Sequence, residues 1–557
     1  MSDKGHKNPA AMGRLEREAL DEIAATKVNK AWALAITIVF AATLGLIFVA
    51  DARNFAGLGK IEKETEVSQS SKTDKVDSPV KKALNKILAF NRELMSWMSN
   101  AESRLFEKSV AVKQLQPIGQ VAFASMREGS KEVMIGKDGW LFHRPSFDLL
   151  THKVGKPGKD FNGPQAAIEA IADLSIALNE RGIKLVVMPT WPKTAGQPEQ
   201  LGASASHKNQ IEKPAWFDAW SAEVQKTGAY LHDPADSILK SKSAQNGIAY
   251  LRTDSHWNPV TMMTCARDLA DAVVAKNWIT RGAESSLMVE RKITNEGDLA
   301  RMLRLPQGSF TTEQTTISEV RTQSKERWLP SRQSPVLLMG DSYSNIFSLK
   351  SMGWGEDAGF SEHLGARLGF PIDCILRNGD GASATRAELS AELARGRDRL
   401  EGKKLVIWQF SATELIAGNW EPMTYQLGMN SNSDEFLEIA AGESRKVDAT
   451  IISMGPVPHP TSTVYKDHVG YFELELIPDS SATPSKTTKI FAFGLVIENR
   501  QWTQLANLRP GEKISVTLDS WADAENEFGR HQRAEPDGEL ALEPPNWIRQ
   551  VEPRTDP

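Results

Sequence analysis

The chain has 557 residues, too many for one ordinary domain, so two or more folded units are expected. Its 66 Lys and Arg nearly balance 71 Asp and Glu, leaving a formal charge of −5. That balance, with no run of like charges, argues against a dedicated nucleic-acid binder, which would carry a basic excess.

The first element in chain order is Ala31–Ala50 (AWALAITIVFAATLGLIFVA), twenty residues without a charge. At a helical rise of about 1.5 Å per residue it spans roughly 30 Å, the thickness of a bilayer core. A signal peptide competes, since Ala50-Asp51-Ala52 fits a small-x-small cleavage site. But a long segment precedes the apolar run, and the run exceeds the usual ~7–15 residues. An uncleaved, single-pass anchor is therefore expected. Lys27 and Lys30 lie closest to it, which favours a cytoplasmic tail over 1–30 and places the bulk of the chain in the periplasm or outside the cell. Residues 51–77 are polar and read as a solvated linker, and from Pro79 the spacing of Leu84, Ile87, Leu88, Leu94 and Trp97 turns helical. Residues 51–129 thus read as a linker and helical stalk, with an N-terminal helical cap as the alternative to a stalk.

From about residue 130 strand and helix signals alternate. Pro164 opens a helix with Ile168, Ile171, Leu174 and Leu178 on one stripe, and Gly182 ends it. Next comes "KLVVMPT" (184–190), a run suited to a strand buried on both faces. A helix in 215–229, a short strand at "YLHDPA" and a helix from Pro259 to about Ala275 follow. Later strands are "PVLLMG" (335–340), "DCILRN" (373–378) and "KLVIWQF" (404–410). Repeated βα units imply a mostly parallel sheet with helices on both faces, and sites in such sheets gather at the carboxyl ends of strands. Cys265 falls on the apolar side of a predicted helix with Met262, Leu269 and Val273. Two buried free thiols, Cys265 and Cys374, are favoured over a disulfide. Beyond Trp420 the pattern becomes "YFELELI", "KIFAFGLVIE" and "KISVTLDSW", so 425–557 reads as a separate β-rich domain with an irregular tail from Arg533.

Two short motifs carry chemistry. In "PVLLMGDSYSN" (335–345) a buried strand runs into Gly340-Asp341-Ser342 and then a helix signal. The glycine permits a tight turn, and the Ser342 N–H lies where a developing oxyanion is stabilised. A serine nucleophile needs a base, and the base needs a partner that fixes its tautomer. "LRTDSHWNP" (251–259) offers both in Asp254 and His256, two residues apart on one side of an extended segment. The competing reading makes Asp254 a cap of the following helix and His256 a half-buried polar residue. No His, Cys or carboxylate set has zinc-ligand spacing, and there is no G-x-G-x-x-G, P-loop or G-x-S-x-G, so neither metal nor other cofactor is expected.

Here the chain resembles the SGNH-hydrolase-like polysaccharide O-acetyltransferases of the alginate type (AlgJ/AlgX-like). The resemblance rests on "GDSY" and "TDSHW", with "GKDGWLF" (136–142), "LVVMPTWPKT" (185–194), "EGDLARMLRLP" (296–306) and "LVIWQFSATEL" (405–415) in order. It implies a flavodoxin-like, SGNH-type α/β/α catalytic domain over 130–424, with Ser342 as nucleophile, His256 as general base and Asp254 as its orienter. It further implies an acetyl donor supplied by a membrane-bound O-acyltransferase partner and an exopolysaccharide acceptor, outside the cytoplasm of a bacterium and against its inner membrane. By the same resemblance Asn378, Gly379 and Gly381 of "RNGDGAS" are oxyanion-hole candidates, though the spacing departs from the family's block pattern. Tyr343 and Arg386 either line the pocket or serve as ordinary packing and a surface charge. Trp191, Lys193 and Trp257 are similar cases, with packing favoured for the tryptophans. Trp502, Trp521 and Trp547 could present sugar-stacking faces in a carbohydrate-binding C-terminal domain, against a structural domain with core tryptophans. An acetylesterase with the same triad and a non-catalytic glycan-binding scaffold are the alternatives to a transferase.

Overall fold

A computed structural model describes residues 129–557 except 153–161, 203–208, 304–311, 380, 429–435, 461–462, 464, 478–487, 537–539, 542 and 554–557. The apolar segment 31–50 and nearly all of the linker and stalk lie outside the described residues. Among the described residues no helix is long and apolar enough to cross a membrane.

The centre of the first half is a sheet of five parallel strands: β1 (Lys184–Thr190), β2 (Tyr230–Leu231), β3 (Val336–Gly340), β4 (Asp373–Leu376) and β5 (Leu405–Ser411). Their spatial order is β2–β1–β5–β3–β4. Every residue of β3, and Leu405 through Phe410 of β5, is buried, so helices cover both faces. This is why these segments read as unbroken apolar runs: a strand covered on both sides has no solvent face to alternate with. The main covering helices are Asn162–Glu180, Phe217–Lys226, Pro259–Ala275, Phe360–Leu368 and Gly381–Ala394. The Pro259 helix is capped by Asn258, whose side chain accepts the Thr261 N–H at 2.9 Å, with Pro259 at the first position where no amide partner is needed. Asp254 does not cap it. A long antiparallel hairpin, Ser286–Asn295 with Glu313–Thr322, stands beside the sheet's layers. Cys265 is buried in the Pro259 helix; Cys374 in β4 is only half-buried, and both are free thiols.

The second half closes into a small barrel. Strands β6 (Ser444–Met454), β7 (His468–Leu476), β8 (Lys489–Glu498), β9 (Lys513–Ser520) and β10 (Pro545–Pro553) pair in the ring β7–β6–β9–β10–β8, and β8 pairs back to β7. Strict alternation drives this: Ile514, Val516 and Leu518 of β9 point into the barrel while their neighbours are partly exposed. The expected irregular tail is corrected in part, because Pro545–Pro553 is the strand between β9 and β8. Its bounding prolines and charged residues hide the signal; the pairing partners on both sides supply what local propensity does not. Trp521 and Trp547 are buried beside the barrel with Phe491 and Phe493, so neither offers a free face. Trp502 is the partly exposed one of the three, at 37 %.

Candidate functional site

The carboxyl ends of β1, β3, β4 and β5 point to one place, and the residues after each strand build a single cavity of ≈ 310 Å³. Pro192 and Lys193 follow β1, Asp341 to Tyr343 follow β3, Gly379 follows β4, and Thr413 follows β5. This is the switch-point geometry of an open parallel sheet.

Ser342 and His256 meet here although 86 residues separate them. His256 Nε2 lies 2.8 Å from Ser342 Oγ, and Asp254 Oδ1 accepts from His256 Nδ1 at 2.6 Å. Because the carboxylate holds the Nδ1 proton, a neutral imidazole presents its Nε2 lone pair to the serine hydroxyl. The other Asp254 oxygen accepts from Trp354 Nε1 at 2.7 Å and from the Asp298 N–H at 2.9 Å. Burial works against the Asp254 charge, but His256, Arg301 and the Trp354 hydrogen bond outweigh it and hold the carboxyl well below its ordinary range. Burial likewise opposes a charged His256, yet the Asp254 hydrogen bond and the charges of Asp254, Asp298 and Asp341 raise its pKa overall. The arrangement is a proton acceptor aimed at a hydroxyl and oriented by an ionised carboxylate, which is what nucleophilic acyl chemistry requires.

A family model described as "SGNH hydrolase-like domain, acetyltransferase AlgX" matches residues 133–412. The chain belongs to this family. Among curated proteins it is 29 % identical over 223 residues to the "Probable alginate O-acetylase AlgJ" of Pseudomonas aeruginosa, covering 37 % of this chain and 51 % of that one. To the protein of the same name from Pseudomonas syringae pv. tomato it is 31 % identical over 154 residues, covering 28 % of this chain and 36 % of the other. The chain thus spans about half the length, or less, of these relatives. The solved O-acetyltransferase domain of Pseudomonas putida AlgJ superposes with a TM-score of 0.40 at 20 % identity, covering 52 % of this chain and 93 % of that domain.

Within this AlgX-type domain the Asp254 loop is held by residues whose parts the motifs do not reveal. Lys193 is buried and donates through Nζ to the carbonyls of Leu251 (2.8 Å), Arg252 (3.1 Å) and Asp254 (2.5 Å). Burial lowers its pKa to about 8, against the charges of Asp298, Asp254 and Glu313. Glu313 accepts the N–H groups of Arg252 (2.7 Å) and Thr253 (3.2 Å) from the other side. Asp298 accepts from the Ser255 N–H (2.7 Å) and hydroxyl (2.5 Å), and its Oδ2 lies 3.7 Å from His256 Nδ1. It sits in the "EGDLARM" stretch, where a carboxylate after a glycine was the available signal. Gly297 is required there: it has φ +84°, and a Cβ would stand 2.3 Å from the Thr253 carbonyl oxygen.

Asp254, His256 and Asp298 place one ligand atom each within 4.8 Å, which on distance alone is a metal-sized cluster. Its lone pairs are already used. Asp254 accepts four N–H groups and Asp298 three hydrogen bonds from Ser255 and Leu299, so a cation would have to displace most of them. The donor set fits a hydrogen-bonded carboxylate–imidazole unit, not a metal cage.

Asp341 clamps the turn that carries Ser342. Its side chain accepts from Tyr343 N (2.9 Å), Gln409 Nε2 (2.8 Å) and Ser411 N (2.5 Å), tying the end of β3 to β5. The helix that Ser342 opens is only Ser342–Asn345, so its dipole adds little and the Ser342 N–H itself is the relevant donor. Tyr343 lines the cavity, meets the His256 ring edge-on at 4.9 Å between centroids, and donates its O–H to the Ser255 carbonyl at 3.2 Å. Trp191 and Trp257 are fully buried packing residues.

The oxyanion candidates divide. Gly379 lines the cavity. Asn378 instead turns its Oδ1 to Asn345 Nδ2 at 2.9 Å and is not on the cavity wall. Gly381 is a packing glycine: a Cβ there would meet the Asp341 Cβ at 2.3 Å. Arg386 is neither pocket-lining nor a surface charge. It is fully buried, donates to the Ala382 and Glu421 carbonyls and lies against the Trp408 and Trp420 rings, because its guanidinium finds aromatic faces and backbone carbonyls inside the α/β layer.

Proposed function

We propose that the chain is a membrane-anchored, extracytoplasmic O-acetyltransferase that carries an acetyl group on Ser342 and passes it to a hydroxyl of an exopolysaccharide. The observation that carries this reading is the chain of contacts Asp254–His256–Ser342, at 2.6 and 2.8 Å, in a cavity at the strand ends of an AlgX-type domain. In the first half-reaction Ser342 Oγ attacks the acetyl carbonyl while His256 Nε2 takes its proton. The carbon–leaving-group bond then breaks, and His256 returns the proton to the departing group. In the second, an acceptor hydroxyl gives its proton to His256 and attacks the acyl carbon, and Ser342 leaves with that proton restored. The apolar segment 31–50 would hold the domain at the inner membrane, facing the periplasm, beside a membrane-bound O-acyltransferase that supplies the acetyl group.

The test uses the full chain in detergent with 4-nitrophenyl acetate, wild type against Ser342→Ala, with and without candidate oligosaccharides analysed by mass spectrometry. Serine-dependent turnover with acetyl groups appearing on the sugar supports transfer. Serine-dependent release with acetate alone, across all acceptors offered, assigns the chain to the esterases instead. Equal turnover by wild type and Ser342→Ala removes Ser342 as nucleophile and leaves the glycan-binding scaffold.

A further inference from the structure

The cavity at Ser342 has one wall that the α/β domain does not supply. Tyr465 lies in the segment leading into β7, after the whole parallel sheet is complete, yet it is 9 % exposed and packs with the α/β core and not with the barrel core. It lines the Ser342 cavity, with its side chain within reach of Ser342. We propose that Tyr465 is a catalytic residue contributed by the C-terminal domain, its phenolic O–H donating to the oxyanion of the acyl-transfer intermediates.

The reasoning is by inventory of donors. An SGNH-like site needs N–H or O–H groups where the carbonyl oxygen becomes negative, and here Asn378 lies off the cavity wall, its Oδ1 accepting from Asn345 and its Nδ2 buried and unpaired, while Ser342 and Gly379 remain at the wall. Among the described residues, most of the other hydroxyl and ammonium donors of the cavity are already used. Tyr343 donates to the Ser255 carbonyl, Ser146 to the His143 carbonyl, and Ser255 to Asp298. One of the Ser411 and Thr413 hydroxyls donates to the other, and Lys193 is spent on the 251–254 loop. Tyr465 adds an O–H within reach of Ser342.

Two further observations fit. Burial, with the Asp298 and Asp254 charges, pushes the phenol far above its ordinary range, so it stays protonated and donates without giving up its proton. The segment is also fixed: Thr463 Oγ1 donates to the Tyr465 carbonyl at 2.9 Å, Arg500 N–H to the Lys466 carbonyl at 2.8 Å, and Asn499 N–H to Asp467 Oδ1 at 2.7 Å. The barrel domain is locked to the sheet domain by buried ion pairs, Arg530–Glu362 at 2.9 Å and Arg533–Glu388 at 2.7 Å. A donor carried on this frame needs no reorganisation as charge develops. The C-terminal domain then completes the active site, whatever else it binds.

The inference rests on the acyl-transfer reading, and the test separates the two. The full chain in detergent is assayed with 4-nitrophenyl acetate as Tyr465→Phe, which keeps the ring and removes only the hydroxyl. Loss of one oxyanion donor predicts a fall in kcat of roughly 10²-fold with KM nearly unchanged. Acylation and deacylation should slow by similar factors, since each passes through an oxyanion. Affinity for methylboronic acid, a tetrahedral mimic on Ser342, should weaken in parallel, while the melting temperature stays at the wild-type value. A merely structural tyrosine would move the melting temperature or KM and leave the boronate-to-substrate ratio alone, and that pattern overturns the proposal, as does a Tyr465→Phe enzyme with wild-type kcat. Absence of Ser342-dependent turnover in the wild-type chain counts against acyl transfer itself.

Discussion

Replacing Asp254 by asparagine tests the imidazole's orientation without changing the size of the side chain. Both oxygens of Asp254 receive only donors: His256 Nδ1 and the His256 N–H on one, Trp354 Nε1 and the Asp298 N–H on the other. An amide must therefore put its NH₂ against donors somewhere. Facing Trp354 and Asp298 it would leave two buried donors unsatisfied, at about 1–3 kcal/mol each. Facing His256 it leaves one donor, the His256 N–H, unpaired, and the ring shifts its proton to Nε2 so that Nδ1 accepts from the amide. The second arrangement costs less and is expected to prevail. Nε2 then carries a proton and cannot take the one on Ser342 Oγ, at 2.8 Å. The expected fall in kcat is on the order of 10⁴, or about 5.4 kcal/mol of transition-state stabilisation, with the melting temperature changed far less than the rate. Steady-state hydrolysis of 4-nitrophenyl acetate by the full chain, with thermal unfolding alongside, reads both. An Asp254→Asn enzyme within about tenfold of wild type would refute the reasoning, since the wrong tautomer cannot support that rate.

The pH dependence has a definite sign. Activity needs neutral His256, whose pKa lies above its ordinary 6.5, so kcat/KM should rise with pH through an ionisation above 6.5; a profile that declines there contradicts the base assignment. Stability runs the other way: Asp254, depressed below 3.8, contributes fully above that value and loses its contribution as pH falls through its folded pKa, while raised His256 contributes fully below 6.5 and loses it as pH rises through its own. Unfolding free energy from this pair should therefore be greatest between the two ordinary values, acid to the activity optimum. Lys193→Met removes the donor of three loop carbonyls but also relieves a buried ammonium, for a net loss of about 2–4 kcal/mol and a lowered kcat; chemical denaturation that finds the variant as stable as wild type would show the lysine is not a staple. Gly381→Ala sets a methyl 2.3 Å from the Asp341 Cβ, so the turn carrying Ser342 must shift. A cost of about 1–3 kcal/mol and a clear drop in kcat are expected, and an unaltered kcat would mean the turn yields elsewhere.

The parallel strands and the three motif residues were legible in the sequence for local reasons. Strands buried on both faces are continuous apolar runs, and "KLVVMPT" is found as the strand Lys184–Thr190. Asp254 and His256 lie on one short loop, and a glycine and serine directly after a strand mark a turn at its carboxyl end, so the chemistry of each fragment could be read alone. The strand Pro545–Pro553 was not legible, because its place between β8 and β9 is fixed by partners far away in the chain. Arg386 gave no hint either: an arginine on a helix looks exposed until the Trp408 and Trp420 rings are seen to cover it.

By itself, then, the sequence singled out Ser342, His256 and Asp254 as the candidates for nucleophile, base and orienter, since such candidates follow from residue type and position on a local element. Only the tertiary structure decided that Ser342 stands 2.8 Å from His256, that Lys193, Glu313 and Asp298 hold the Asp254 loop, and that Tyr465 of the following domain closes the cavity. Those are contacts between residues far apart along the chain, and no local periodicity encodes a distance across the fold.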